Sequence, residues 1–125
     1  LKNTNLEVLS TGYILIESGK QTAVEQVTKT QPIDRNNIQR VIDTAKAGEL
    51  LGMKLMYLEA GSGAINHVSA ETIAKVKDEI QIPLIVGGGI KNKKQLENVY
   101  NSGADIVVIG TAFEECESFF DELRM

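Results

Sequence analysis

Four short apolar runs recur along the chain and predict four buried β-strands. The runs are GYILIE (12–17), KLMYLE (54–59), IPLIVG (82–87) and ADIVVIG (104–110). Each is rich in Val, Ile or Leu and has apolar residues on both faces. Strands that are covered on both sides have this pattern, which is typical of parallel sheets.

After each run, the apolar positions change to a helical spacing. The spacing predicts helices over 35–51, 70–80, 93–101 and 112–124. The predicted N-caps are Asp34, Ser69, Asn92 and Thr111, the last with Glu114 at the spacing of a capping box, and Gly103 lies just past the end of the third helix. The α/β chain therefore consists of four consecutive parallel β-α units. They fit either a small open doubly wound sheet or half of a (β/α)8 barrel, whose full length is about 250 residues.

Composition narrows the class of protein. With 125 residues, 42% of them hydrophobic, the chain can bury one core or part of one. The net charge of −4, without a long run of like charge, argues against a nucleic-acid partner. No segment reads as a transmembrane span or a secretory signal. The sequence starts at Leu1 without an initiator Met, so we expect that it was cut from a longer chain.

Cysteine usage points to a reducing compartment. Cys116 is the single cysteine, so the chain has neither a disulfide framework nor a zinc cluster. It lies on the apolar stripe of the last predicted helix and is expected to be a core residue. We therefore expect a cytoplasmic protein.

Glycine follows three of the predicted strands, at the edge of the sheet where parallel α/β proteins hold their ligands. The segments are EAGSG (59–63), GGGIKN (87–92) and GT (110–111). Glycine lets backbone N–H groups approach an anion, and a helix N-terminus adds positive charge. The pattern predicts a phosphate site. The alternative is that Gly87, Gly88 and Gly89 only form a turn and that Thr111 is an ordinary N-cap that contacts no ligand.

The carboxylate of Glu59 stands beside this predicted anion site. Because strand side chains alternate, Tyr57 and Glu59 share one face, while Met56 and Leu58 are expected to pack against helices. A buried carboxylate needs partners. Glu59 could cap a neighbouring loop, pair with a lysine, or accept hydrogen bonds from the hydroxyls of a polyol phosphate whose phosphate lies over 61–63.

Other polar residues are weaker candidates. Gly19-Lys20 lacks the spacing of a P-loop. His67 is expected to be structural or solvated. Glu17 and Lys20 follow the first strand and are minor candidates for a substrate role, whereas Lys91 is expected to be solvated at a helix start, where it could add long-range attraction for an anion. Asp105 stands at the start of its strand, which disfavours an isomerase of sugar phosphates with paired aspartates at strand ends.

The segments YLEAGSGA, PLIVGGGI and DIVVIGTAFE, preceded by TGYILIESG, resemble the geranylgeranylglyceryl phosphate synthase family, which includes the bacterial heptaprenylglyceryl phosphate synthases. The resemblance covers the whole chain but only about half of the family's length, as expected for part of a barrel. It implies that residues 1–125 are units five to eight, the C-terminal half of a (β/α)8 TIM barrel. It also implies a prenyltransferase that joins the sn-3 hydroxyl of sn-glycerol 1-phosphate to a polyprenyl diphosphate, with a geranylgeranyl donor expected.

The resemblance also implies roles for individual residues. Glu59 and Tyr57 are the catalytic candidates: both would hold the glycerol hydroxyls, and Glu59 would orient or deprotonate the attacking oxygen. The implied substrate-binding set is Tyr57, Leu58, Glu59, Ala60, Gly61, Ser62, Gly63, Gly88, Gly89, Gly110 and Thr111. Mg²⁺ is the family's cofactor, and its ligands are expected in the N-terminal half, so no metal ligand is assigned here. We expect this chain alone to be inactive or very weak.

A half-barrel leaves two strand edges and an apolar face uncovered. We therefore expect a homo-oligomer or pairing with a second half-barrel. The alternative function is a non-catalytic, self-associating half-barrel scaffold that retains phosphate binding.

Overall fold

The computed structural model describes residues 7–19, 31–61 and 64–110. In these ranges, strands and helices alternate in the order β1 Thr11–Leu15, α1 Ile38–Leu50, β2 Leu55–Glu59, α2 Ala70–Glu79, β3 Leu84–Gly87, α3 Lys93–Ser102 and β4 Ile106–Val108. Several predicted features lie outside the described residues: the helix over 112–124 with its capping box at Thr111 and Glu114, Cys116, and Lys20.

The four strands form one parallel sheet in the order β1-β2-β3-β4. All three helices pack on the same face, because a single core cluster joins them to one set of strand side chains. This cluster includes Ile14, Met56, Leu58, Leu84 and Val86 from the strands and Val41, Ile73, Val76 and Val99 from the helices. A doubly wound sheet reverses its strand order and carries helices on both faces. The observed arrangement is therefore that of successive barrel units.

The helix starts were predicted correctly for α2 and α3. The Ser69 side chain accepts a hydrogen bond from the N–H of Thr72, and the Asn92 side chain accepts one from the N–H of Gln95. Gly103 follows α3 with φ +126°, as expected for a glycine that ends a helix. These caps satisfy backbone groups that a helix leaves unpaired.

The predicted start of α1 was wrong. Its N-cap is Asn37, whose side chain accepts from the N–H of Arg40, and not Asp34. The Asp34 carboxylate instead accepts from the N–H of Asn36 at 2.8 Å, within a turn that precedes the helix. The chain is still extended at Ile33, where it bridges to the end of β1, so the helix cannot begin until that turn is complete.

Asp105 lies at the end of the sheet where the strands begin, as its position in the sequence predicted. Its carboxylate accepts a hydrogen bond from the N–H of Leu84 at 2.8 Å and forms an ion pair with Lys77. The hydrogen bonds from Lys77 and from the Leu84 backbone lower the pKa of Asp105. These contacts tie α2, β3 and the start of β4 together at the end opposite the glycine-rich loops.

The second face of the sheet carries no helix in the described part of the chain. We call it the open face; its side chains belong to Thr11, Tyr13, Leu15, Leu55, Tyr57, Glu59, Ile85, Gly87, Ile106 and Val108. Tyr13, Ile106 and Val108 are 52%, 44% and 43% exposed, which is high for large apolar side chains in a sheet. Each of the three described helices falls short of the length and hydropathy that a membrane crossing requires.

Candidate functional site

Glu59 is the last residue of β2, and its side chain lies on the open face with only 9% exposure. Its Oε1 atom accepts a hydrogen bond from the N–H of Gly61 at 2.7 Å. The predicted loop contact is therefore present, whereas no ion pair joins Glu59 to a lysine in the described ranges. A carboxylate removed from water is stabilised by such backbone donors.

Tyr57 lies on the same face as Glu59, two residues earlier, as the strand alternation predicted. Its hydroxyl lies on the same side of Gly87 as the Glu59 carboxylate, since both groups would be within 3.0 Å of a Cβ atom at Gly87, and a hydrogen bond between the two side chains is among the causes of its raised pKa. Burial, this hydrogen bond and the negative charge of Glu59 raise the pKa of Tyr57 well above its ordinary value. The phenol, which is protonated at neutral pH in any tyrosine, therefore remains a hydrogen-bond donor further into the alkaline range than an ordinary tyrosine.

Tyr13 is a member of the site that the sequence analysis missed. It pairs in register with Tyr57, and the two ring centroids are 5.4 Å apart with planes tilted by 45°. Burial and the charge of Glu59 raise the pKa of Tyr13. The signal was available: alternation in the first strand puts Tyr13 on one face with its neighbours at i ± 2, and sequential parallel pairing then places it beside Tyr57.

Gly87 provides the space in which the Tyr57–Glu59 pair lies. It is in register with Glu59 on the neighbouring strand. A Cβ atom at Gly87 would lie 2.6 Å from the Tyr57 hydroxyl and 3.0 Å from the Glu59 Oε2 atom. Any larger residue would displace one of these groups, so glycine at this position belongs to the site.

Gly88 and Gly89 bring the loop after β3 against the loop after β2. Their φ angles are +90° and +74°, which favour glycine. A Cβ at Gly88 would lie 2.6 Å from both the Gly61 nitrogen and the Glu59 Oε1 atom, and a Cβ at Gly89 would lie 2.7 Å from the His67 nitrogen. The glycine run is therefore required by backbone-to-backbone packing, whether or not an anion binds there.

The other predicted site residues are distributed differently. The side chains of Leu58 and Ala60 lie in the core cluster on the helix side of the sheet, away from the open face. A Cβ atom at Gly110 would meet no other atom of the described chain within 4 Å, so the space beside the end of β4 is open there. Ser62, Gly63 and Thr111 lie outside the described residues. The structure thus brings together Tyr57, Glu59, Gly61 and Gly88.

The weaker candidates make local contacts. The Nδ1 atom of His67 lies 2.7 Å from the carbonyl oxygen of Val68. Glu17 accepts a hydrogen bond from the N–H of Gly19, and Lys91 donates to the carbonyl of Ile65 at 3.4 Å. None of these contacts involves the Tyr57–Glu59 pair.

The order of the strands, the helices on one face and the pair at the end of β2 can be compared with known proteins. A family model described as the PcrB family matches residues 1–124. The chain belongs to the PcrB family.

Relatives of this PcrB-family chain carry the name geranylgeranylglyceryl phosphate synthase, which confirms the family resemblance seen in the sequence. The protein of Flavobacterium johnsoniae is 58% identical over 97% of the chain and 50% of its own length. The protein of Zunongwangia profunda is 55% identical over 94% of the chain and 50% of its own length.

A solved structure shows the same fold. The (S)-3-O-geranylgeranylglyceryl phosphate synthase of Thermoplasma acidophilum, crystallised with its substrate sn-glycerol-1-phosphate, matches with a TM-score of 0.85 and 33% identity. The match covers 95% of the PcrB-family chain and 47% of the solved chain. The chain therefore spans about half the length of the relatives it matches, and its four described strands with their three helices correspond to part of that half of the TIM barrel.

Proposed function

We propose that this chain carries the acceptor part of a prenyltransferase site, which binds sn-glycerol 1-phosphate. The observation that carries the proposal is the buried Glu59 carboxylate, hydrogen-bonded by Tyr57 and enclosed by glycines at the end of β2. The Thermoplasma acidophilum relative is described in complex with that substrate, which supports the choice of ligand. In this proposal residues 1–125 are units five to eight of the barrel.

Glu59 accepts a hydrogen bond from a glycerol hydroxyl in this scheme. Its Oε1 atom already has one backbone donor, but a carboxylate oxygen has two lone pairs and can accept another. Tyr57, whose hydroxyl is protonated at neutral pH, fixes the orientation of the carboxylate. Hydrogen bonds to a charged group are about twice as strong as neutral ones, so this pair selects a ligand with hydroxyl groups next to its phosphate.

The reaction follows from this placement. The sn-3 oxygen of glycerol 1-phosphate forms a bond to C1 of the polyprenyl group, geranylgeranyl in the scheme we favour. The C1–O bond to diphosphate breaks, and diphosphate leaves with the electron pair. Glu59 orients the attacking hydroxyl and takes its proton, which is general base catalysis.

The phosphate of the acceptor lies over the glycine-rich loops in this proposal. The backbone of Gly88, Gly89 and Gly110 would approach it, with Ser62, Gly63 and Thr111 as further contacts. Positive φ angles at Gly88 and Gly89 support this role, because such loops can turn successive N–H groups toward an anion. For Leu58 and Ala60, whose side chains are buried in the core, the role is limited to the backbone.

The donor diphosphate and Mg²⁺ belong to the other half of the barrel in this proposal. No group of three or more His, Cys, Asp or Glu side chains in residues 7–19, 31–61 and 64–110 could hold a metal ion. Mg²⁺ would stabilise the charge of the leaving diphosphate when bound. We therefore expect this chain alone to bind glycerol 1-phosphate without measurable prenyl transfer. Turnover by the chain alone, assayed with geranylgeranyl diphosphate and Mg²⁺, would contradict the assignment of donor and metal binding to the other half of the barrel.

Pairing with a second half-barrel is the expected way to cover the open face. Tyr13, Ile106 and Val108 are large apolar side chains that are each more than 40% exposed. β1 and β4 are the outer strands of the described sheet, and the outer edge of β1 is bridged only at its end, by Ile33. We expect the chain to form a homodimer, or to pair with a separate half-barrel. Sedimentation measures this directly: a stable monomer of 13.6 kDa would contradict self-association.

The substitution Glu59→Gln tests the acceptor site. Glutamine keeps the size and the acceptor for Gly61 but loses the charge, so we expect glycerol 1-phosphate affinity to fall about tenfold to a hundredfold in calorimetry. Affinity for inorganic phosphate should change much less. Glu79→Gln, the same chemical change on exposed α2, is the matched control. Equal losses for the two ligands would contradict a hydroxyl-binding role and favour the alternative, a scaffold that only retains phosphate binding.

A further inference from the structure

A second cleft, of about 270 Å³, has no described lining residue in common with the proposed acceptor site. Its lining residues come from the turn before α1, the loop after β2 and α3: Arg35, Ile65, Asn66, His67, Ser69 and Gln95. Among these described lining residues there is no carboxylate, and two of them, Arg35 and His67, can carry positive charge. The lining therefore offers hydrogen-bond donors and favours a negatively charged ligand.

Arg35 is the strongest donor in this cleft. Its guanidinium forms no ion pair within the described ranges. The adjacent acid, Asp34, directs its Oδ1 atom to the N–H of Asn36 at 2.8 Å. The Arg35 side chain is half-buried, so it is partly ordered by its surroundings while its fork of N–H groups remains available. A guanidinium matches the geometry of a phosphate group with two parallel hydrogen bonds.

Gln95 and His67 are oriented so that they can add to this binding. The Gln95 Oε1 atom accepts from the N–H of Lys91 at 2.7 Å, so its NH₂ group is the end that can donate to a ligand. The His67 Nδ1 atom lies 2.7 Å from the Val68 carbonyl, which can only accept, so Nδ1 carries the hydrogen. Nε2 is then the ring atom that can accept a hydrogen bond from a singly protonated phosphate.

We propose that this cleft binds the phosphate group of a small phosphorylated molecule, separately from the acceptor site. Its volume is close to the lower end of typical small-molecule sites, which suits a phosphate with a short carbon segment. Ile65, which is 52% exposed, supplies apolar contact for that segment. A bilayer headgroup would present the same phosphate, but among the described lining residues Ile65 is the one large apolar side chain that could meet the acyl region.

Nuclear magnetic resonance with inorganic phosphate as the probe tests the proposal. Phosphate is titrated into the full chain without sn-glycerol 1-phosphate, because that small phosphorylated molecule would also fit the cleft. Adding phosphate should then shift the side-chain amide signals of Gln95 and the ring signals of His67. Arg35→Gln should weaken this response by about tenfold or more, because it removes a charged donor. Arg40→Gln, the same loss of charge on the exposed side of α1, is the matched control and should leave it unchanged.

Three outcomes would overturn the proposal. The first is the absence of any phosphate-dependent shift at Gln95 and His67. The second is an equal loss in Arg35→Gln and Arg40→Gln, which would indicate unspecific attraction. The third is Arg35-dependent sedimentation with phosphatidylglycerol vesicles without a response to inorganic phosphate. Glu59→Gln separates this test from that of the acceptor site, because it should lower glycerol 1-phosphate affinity and leave the phosphate response of the cleft intact.

Discussion

Because the loops after β2 and β3 are in close contact, we expect that adding one methyl group at Gly88 lowers the free energy of unfolding. Gly88 has φ +90°, and a Cβ there would lie 2.6 Å from the Gly61 nitrogen and 2.8 Å from the Gly61 oxygen. Gly52 has nearly the same backbone angle, φ +96°, but no atom within 4 Å of a Cβ. Comparing Gly88→Ala with Gly52→Ala therefore separates the effect of backbone strain from the effect of steric conflict.

Both substitutions to alanine carry the strain of an unfavourable φ angle, about 1–3 kcal/mol each. Gly88→Ala in addition forces backbone atoms apart, and such overpacking costs about 1–3 kcal/mol. We expect the free energy of unfolding to fall more for Gly88→Ala than for Gly52→Ala by that second amount. Glycerol 1-phosphate affinity should fall only for Gly88→Ala, because the new methyl group would also meet the Glu59 carboxylate at 2.6 Å.

Urea unfolding followed by circular dichroism measures the difference, with glycerol 1-phosphate titration as the second readout. The slope of unfolding free energy against urea should stay the same in both variants, so that the midpoints can be compared. If Gly88→Ala fails to fold while Gly52→Ala folds, the reasoning holds. Equal losses of stability in the two variants would refute it, because the close approach of the two loops would then have no energetic weight.

Two further predictions concern ionisable groups. The absorbance of tyrosinate should develop at lower pH in Glu59→Gln than in the unmodified chain, because the substitution removes the charge and the acceptor that help to raise the pKa of Tyr57; identical alkaline titrations would argue against that hydrogen bond. Asp105→Asn should reduce the free energy of unfolding at pH 7 by about 1 kcal/mol, and the loss should disappear in strong acid. The loss depends on pH in this direction because the pKa of Asp105 is lowered in the folded state. The carboxylate therefore stabilises the fold above its unfolded pKa of about 3.9. This stabilisation is lost as the pH falls through the folded pKa. Glu71→Gln, which breaks an exposed ion pair with Lys75, should cost no more than about 0.5 kcal/mol in the same urea experiment. A loss at Asp105 that persists in strong acid would contradict the assigned cause.

Some features of the fold were predictable because they depend on local spacing. The caps at Ser69 and Asn92 precede clear apolar stripes and have no competitor nearby, so the sequence located them. The start of α1 was harder, since Asp34, Asn36 and Asn37 are all good caps. The bridge between Ile16 and Ile33 keeps the chain extended there, and that long-range contact selected Asn37.

In the candidate site, too, local spacing was enough to predict some features, whereas others depend on long-range contacts. Alternation along β2 was enough to place Tyr57 and Glu59 on one face. It did not identify the hydrogen bond between them, or Tyr13 and Gly87 as their neighbours. Those contacts come from the register of three strands, Tyr13 beside Tyr57 and Glu59 beside Gly87, which hydrophobic patterns alone do not specify.

Side-chain periodicity and the backbone preferences of single residues were enough to establish the parallel β-α units, the faces of the strands and the position of an acid beside glycine-rich turns. The reason why glycines occupy positions 87–89, at the end of β3 and just after it, and the partners that satisfy Glu59, became visible only in the folded chain. The cause is physical: the need for glycine at 87–89 is set by atoms of the neighbouring strand and its loop, which lie more than twenty residues away in the chain and approach only when the sheet is assembled.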